Sequence, residues 1–158
     1  NMYILAEDGS GNLAVPSDTL KRNLKTYLMR YKMLNDIVDI LDARIINFSV
    51  EFLVHVDKRF DTDIILANCI AKVQEYFSDV PYIGEPIYIS RIYQILNEVT
   101  GVIDTKDVVL ENKAGGVYST MYYNFEDALS RDGTFIQIPK DAIVELKFPN
   151  DDVKGTVK

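Results

Sequence analysis

Ile46-Asn47-Phe48-Ser49-Val50-Glu51-Phe52-Leu53-Val54-His55-Val56 alternates residue by residue. Successive side chains of an extended chain point to opposite faces, so Ile46, Phe48, Val50, Phe52, Val54 and Val56 share one side. Asn47, Ser49, Glu51, Leu53 and His55 share the other. A strand this long crosses the middle of a sheet and buries one face.

Downstream of that strand, Asp61-Thr62-Asp63 supplies a cap and first-turn acids for a helix, with Leu66, Ile70, Val73 and Phe77 as its apolar stripe and an end near Ser78. Pro81 confirms the stop. Gly84 opens a turn with Glu85 and Pro86, and Ile87-Tyr88-Ile89 leads to Ser90. Ser90 suits the cap of a short helix that turns Ile92, Ile95, Leu96 and Val99 inward, and Gly101 suits its left-handed terminator. A strand follows from Val102 to Glu111, containing Val108-Val109-Leu110. A strand, two helices and a strand in this order favour parallel or mixed pairing with both helices on one face.

Upstream, Tyr3-Ile4-Leu5-Ala6 reads as a strand closed by the turn-forming cluster Asp8-Gly9-Ser10-Gly11-Asn12. Ser17 is placed to cap a helix whose Leu20, Leu24, Tyr27, Leu28 and Tyr31 recur on one face. Ile37, Val38, Ile40 and Leu41 form a short strand-like run. Beyond Lys113-Ala114-Gly115-Gly116 the pattern turns to Tyr- and Phe-rich β structure. Asp132-Gly133 marks a hairpin turn before Phe135-Ile136-Gln137-Ile138, and Ala142 to Phe148 makes a last strand. The expected fold is α+β: a mixed sheet with helices packed on one face, plus a C-terminal β-hairpin lobe. Residues 1–113 form the α+β domain, divided into 1–43 (strand-helix-strand) and 44–113 (strand-helix-helix-strand), and residues 114–158 form the β-rich lobe.

Length and composition suit such a domain. A chain of 158 residues with 47% hydrophobic and 26% charged residues buries enough surface to fold without a staple. Net charge −7 and scattered basic residues argue against nucleic acid as a partner. Cys69 is the single cysteine and lies in an apolar helical pattern, so it reads as a small buried residue. Runs such as Ile64-Ile65-Leu66-Ala67 fall far short of the ~18 residues of a membrane span, and no signal-peptide pattern opens the chain, so a soluble protein is expected. Asn1 ahead of Met2 points to a tag remnant or an excised fragment.

Few residues invite catalysis. His55 is the only histidine and has no cysteine or second histidine beside it to complete a metal set, so a solvated or edge-facing side chain is the plain reading. Asp57, Asp61 and Asp63, or Asp151 and Asp152, could gather around a hard cation, but the glycine and bidentate glutamate of a calcium loop are missing; capping and turn duties explain them. Gly9-Ser10-Gly11 lacks the third glycine and the lysine of a phosphate-cradling loop. Aromatic residues crowd the C-terminal stretch instead. Tyr118, Tyr122, Tyr123 and Phe125 are candidates for a partner interface, with core packing as the equal alternative for them and for Phe135 and Phe148.

The segment from Ile83 to Val102, with turn glycine Gly84, a short lead-in, a helix opened by Ser90 and Gly101-Val102 starting a strand, resembles the C-terminal signature of the baseplate J-like family. Leu13 to Ala43, Ile45-Ile46-Asn47-Phe48, and Asp132-Gly133-Thr134 through Ala142 to Pro149 are similar to the inner-ring baseplate wedge proteins of T-even-type contractile-tailed phages. Together these segments run through nearly the whole chain in order. The resemblance implies a structural, non-enzymatic virion protein of the tail baseplate, assembled in the host cytoplasm. Its implied partners are copies of itself and other wedge subunits, with no cofactor, metal, small-molecule substrate, nucleic acid or membrane. The chain departs from such proteins in lacking their long N-terminal portion.

Two other classes stand beside this reading. Strand-helix units with helices on one face suit a small-molecule-binding regulatory module. A hydrolase would use paired acids such as Glu51 and Asp57, provided the strand keeps them in register.

Overall fold

The computed structural model describes residues 1–31 and 37–158. In chain order the elements are β1 (Met2–Ile4), β2 (Ala6–Glu7), β3 (Leu13–Ala14), α1 (Asp18–Leu28), β4 (Ile40–Asp42), β5 (Arg44–Val56) and α2 (Thr62–Tyr76). They continue as β6 (Ile87–Tyr88), α3 (Ile89–Asn97), β7 (Val102–Lys113), β8 (Phe135–Ile136), β9 (Ala142–Glu145), α4 (Pro149–Asp152) and β10 (Val153–Val157). The fold is α+β, with a four-stranded mixed sheet and helices packed against it. No described helix is long and apolar enough to cross a membrane.

The alternating stretch forms β5, and Ile46, Phe48, Val50, Phe52, Val54 and Val56 are all at most 6% exposed. β7 pairs with it antiparallel, from Asn47 opposite Lys113 to Val56 opposite Val102, with two register shifts that bend the pair. The expected parallel option fails for this pair because two helices intervene. α2 takes the chain back along the sheet, α3 takes it forward again, and the next strand has to run the other way.

The mixed character comes from the end of the chain. β9 lies parallel to β5 along Arg44–Asn47, and β10 lies parallel to it along Val50–Val54. They follow one another on the edge of β5 away from β7, separated by α4, which Pro149 opens. The stretch after Lys113 thus adds strands to the same sheet as β5 and β7. Phe125, Ile136, Ile138, Ala142, Val144 and Val153 belong to the same buried cluster as Phe48 and Ile92. What survives of the expected hairpin is a tight turn: Ser130 N–H donates to Phe135 O over 2.9 Å, with Gly133 at φ +71°.

α2 packs on β10, α3 packs on β7, and the two helices touch. Asp61 caps α2 as expected, accepting from Asp63 N over 3.0 Å. The buried residues of α2 are Ile65, Cys69 and Val73: of the expected stripe Val73 is buried, Leu66 and Ile70 lie half-buried on the flank, and Phe77 is the half-buried C-cap. The two stripes differ by one residue over the first half of the helix and coincide at Val73. In α3, Ile92, Ile95 and Leu96 face inward as expected, followed by Val99. Ser90 does not cap it. The N-cap is Tyr88, without a side-chain cap bond, because β6 runs straight into the helix and Ser90 N–H is taken by Thr134 O at 3.1 Å.

Gly101 lies beyond the helix, in a turn closed by Val102 N–H on Val99 O, at φ +96°. A Cβ there would stand 2.6 Å from Ile65 Cδ1. This left-handed position lets the chain leave α3 and enter β7 against α2. Gly84, at φ +79°, donates its N–H to Ala142 O over 2.7 Å and ties the α2–β6 connection to β9.

The N-terminal part leans on this body. β1 pairs parallel with β4, and β2 pairs antiparallel with β3. Ser17 caps α1 by accepting from Leu20 N. Of the predicted run Ile37 to Leu41, Ile40 and Leu41 are in β4 and Ile37 is 83% exposed.

Candidate functional site

The second face of β5 is covered at its start. Asn47 is 1% and Ser49 3% exposed, although both sit on the side expected to be polar and open. The loop after β7 folds across them: Ser119 N–H donates to Asn47 Oδ1 over 2.7 Å, and Ser119 Oγ donates to Ile45 O over 2.6 Å. Asn47 Nδ2 donates to Glu145 Oε2 at 2.8 Å, while Glu145 Oε1 accepts from Leu13 N at 2.7 Å. One carboxylate thus joins β3, β9 and β5. Among the described residues, Ser49 Oγ is the one buried side-chain polar atom without a hydrogen-bond partner.

Beside this seam, Tyr118 OH donates to Asp152 Oδ1 over 2.6 Å, and Phe148 N–H donates to Asp152 Oδ2 over 3.1 Å. The bond to Asp152 is the main cause that pushes the Tyr118 phenol up to about 12. Asp152 is 2% exposed, so these two donors serve a buried acid at the mouth of α4. The pair is a fastener between the loop and the chain end.

The four aromatic candidates for an interface divide. Phe125 is a core residue, 5% exposed and edge-on to Phe48. Tyr118 and Tyr123 are internal fasteners, Tyr123 donating its OH to Gln137 O. Tyr122 alone faces outward, at 73% exposure.

The larger uncovered apolar surface lies elsewhere, on α1. None of its residues is buried. Leu24 and Leu28 are half-buried, and Lys21 reaches Asp42 at 3.0 Å, its ammonium held above the usual lysine range chiefly by that bond. Leu20, Tyr27 and Tyr31 stand out, the two tyrosine rings 5.1 Å apart. The same i, i+3, i+4 pattern that reads as a core stripe is an open stripe here. Its charged company gave no signal of this: Arg22 and Lys25 fall on the opposite side of the helix, as they do where such a stripe is covered.

A groove of about 670 Å³ opens between the end of α2 and β6 on one side, and Leu13 with the end of β9 on the other. Phe48 and Phe77 lie at its base, rings 5.1 Å apart. Glu75, Asp79, Glu85 and Glu145 line it, with no basic side chain among its described lining residues, and Lys72 reaches Glu75 at 2.8 Å from beside it. Val80, Tyr82 and Tyr88 stand exposed around it. A second groove, of about 530 Å³, lies on the far side of Leu13 and Glu145, against Tyr118 to Met121.

The residues singled out for chemistry are not brought together. Glu51 and Asp57 are six positions apart along an extended strand, roughly 20 Å at ~3.3 Å per residue, far beyond the ~5–9.5 Å of acid pairs that share one bond. Asp57 is bound by the Arg59 guanidinium, which holds its carboxyl below the usual range. Asp61 caps α2, and no group of three or more metal-ligating residues occurs among the described residues. The Gly9–Gly11 loop keeps its amides for its own acid: Asp8 Oδ1 accepts from Ser10 N and Asn12 N, which lowers the Asp8 pKa. His55 is half-buried on β5 opposite Asp104.

No protein-family model matches the chain, and no curated protein is significantly similar to it.

Proposed function

We propose that this protein is a structural component of a contractile-tail baseplate wedge, acting through self-association and contacts with other wedge subunits. The observation that carries the reading is the exposed apolar surface of Leu20 and Tyr27 on α1, a helix with no buried residue, continued by Tyr31 in the turn beyond its end. Exposed aromatic and aliphatic side chains grouped on one element are the mark of a surface built to be covered. The ordered resemblance to baseplate wedge proteins supplies the class of assembly.

Light scattering at micromolar concentration tests it, together with binding to the proteins encoded beside this chain. A dimer or larger oligomer is the expected result. A strict monomer that binds none of those neighbours overturns the reading.

The groove beside Phe48 and Phe77 favours one alternative, a small-molecule-binding module, since its volume lies within the ~300–1,000 Å³ of ligand pockets. A thermal-shift screen separates the two, because a ligand that binds only the folded state raises the melting temperature.

A further inference from the structure

We propose that the free edge of β7 on one copy of this chain pairs antiparallel with the free edge of β10 on the next, so that the sheet runs on from copy to copy. The inference rests on the self-association proposed above and adds which surfaces meet.

Both strands end the sheet, whose order is β10-β5-β7. Among the described residues, no main-chain hydrogen bond other than those to β5 reaches Ile103–Lys113 or Val153–Val157. An unpaired edge is a template on which another chain adds, and proteins blunt such edges with bulges, prolines and charges. The register shifts of β7 fall beside Val54 and Val56, in its first half. From Asp107 to Lys113 it runs in unbroken register with β5, without glycine or proline.

One bond fixes which main-chain groups point outward. Lys158 N–H donates to Val54 O over 3.0 Å, so even-numbered residues of β5 turn their main-chain groups to β10. Odd-numbered Leu53, Glu51 and Ser49 then turn theirs to Asp107, Val109 and Glu111. That leaves Val108 and Leu110 facing outward on β7, and by the same alternation Gly155 and Val157 facing outward on β10. The Tyr93 hydroxyl stands beside the Val108 amide, and the arriving strand displaces it.

Charge selects the partner and the register. On the sheet face away from α2 and α3, β7 carries Asp107 and Glu111, exposed and four residues apart. On that same face the end of the chain carries Lys154 and Lys158, also exposed and four apart. Asp107, Lys154 and Lys158 are in no ion pair among the described residues, although Lys154 lies across from Glu51 on β5; Glu111 has Lys113 of its own strand at 3.7 Å. Setting Glu111 opposite Lys154 and Asp107 opposite Lys158 brings Val108 against Val157 and Leu110 against Gly155. Those are the four residues whose main-chain groups face out, so both matches fall in one register. A slip of one residue breaks both, and a slip of two breaks the charge match.

Self-pairing of either edge is disfavoured. β7 against β7 over the same stretch sets Asp107 against Glu111, and β10 against β10 sets Lys154 against Lys158; like charges directly opposite destabilise a strand pair. In the mixed pairing α2 of the next copy lands beside α3, as the two helices already touch within one chain. The contact is heterologous, so repetition ends when the rotation closes a ring and otherwise builds a filament.

Cysteine pairing on the full chain tests this. Val109 and Thr156 face each other in this register as a pair without mutual main-chain bonds, Cα atoms about 4.5 Å apart, which suits a disulfide. Cys69 is buried, so crosslinks report the introduced thiols. Val109→Cys and Thr156→Cys are oxidised alone and mixed, and read on non-reducing gels. Sedimentation velocity is run on wild type, on Asp107→Lys with Glu111→Lys, on Lys154→Glu with Lys158→Glu, and on the mixture of the two, after circular dichroism and thermal melting confirm folding. The expected result is crosslinked dimer in the cysteine mixture and not in either variant alone. Each charge variant weakens association about tenfold or more, and the mixture recovers it. The cysteine arm decides the matter where a charge variant fails to fold. An associating wild type with no crosslink in the mixture, with Val109→Cys crosslinking to itself, or with no response to charge reversal overturns the edge pairing and leaves self-association standing. A wild type that stays monomeric at the highest concentration reached overturns self-association itself, and this inference with it.

Discussion

Asn47 and Glu145 face each other where β5 pairs with β9, and the Asn47 amide donates to the Glu145 carboxylate over 2.8 Å. The same asparagine accepts from Ser119, and the same glutamate accepts from Leu13. A buried amide that is fully engaged fixes the register of the strands that supply its partners.

Asn47→Leu is expected to cost about 2–4 kcal/mol, since it strands the Ser119 N–H and one carboxylate oxygen. Urea unfolding measures it. Glu145→Ala is expected to cost less globally and to loosen the β2–β3 hairpin, which limited proteolysis between Asp8 and Leu13 reads out. Wild-type stability in Asn47→Leu would show that the seam contributes nothing net.

Gly101→Val meets two obstacles together. A β-branched residue resists φ +96°, and its Cβ would sit 2.6 Å from Ile65 Cδ1. A loss of about 3 kcal/mol or more is expected from strain plus displacement of Ile65. Thermal melting checks it, and an unchanged midpoint would mean that the turn rearranges freely.

Tyr118 gives the fold an alkaline limit. Its hydrogen bond to Asp152 raises the phenol to about 12 in the folded chain, above its ordinary value of 10.0. A raised folded pKa means that the contribution is fully present below the unfolded value and is lost as pH climbs through the folded one. Stability is therefore expected to fall between about pH 10 and pH 12, and Tyr118→Phe to remove that part of the slope at a neutral-pH cost of about 1.5–3 kcal/mol. Phenolate absorbance against pH, alongside denaturation, tests both.

The aromatic residues of the C-terminal stretch should separate on truncation. Phe125→Ala is expected to cost about 3–5 kcal/mol, as for a buried ring packed on Phe48 and Tyr123. Tyr122→Ala, at 73% exposure, should stay within about 0.5 kcal/mol. Equal effects in chemical denaturation would contradict the placement of these two rings.

What the amino-acid sequence determined by itself was local. Strict alternation made β5 a strand with a buried side, Asp61 and Ser17 opened their helices, and Gly101 took the left-handed turn that its lack of Cβ permits. Each depends on neighbours a few residues away, and backbone geometry gives it one favoured solution. Only the tertiary structure decided which faces were covered. Asn47 is polar yet buried, because Glu145 and Ser119, 98 and 72 residues distant, arrive to satisfy it. Leu20, Tyr27 and Tyr31 repeat like a core stripe yet stay open, because no described element packs over them. A periodic pattern shows that a face is apolar; whether that face is covered by its own chain or left for another depends on where distant segments pass, and periodicity carries no record of that.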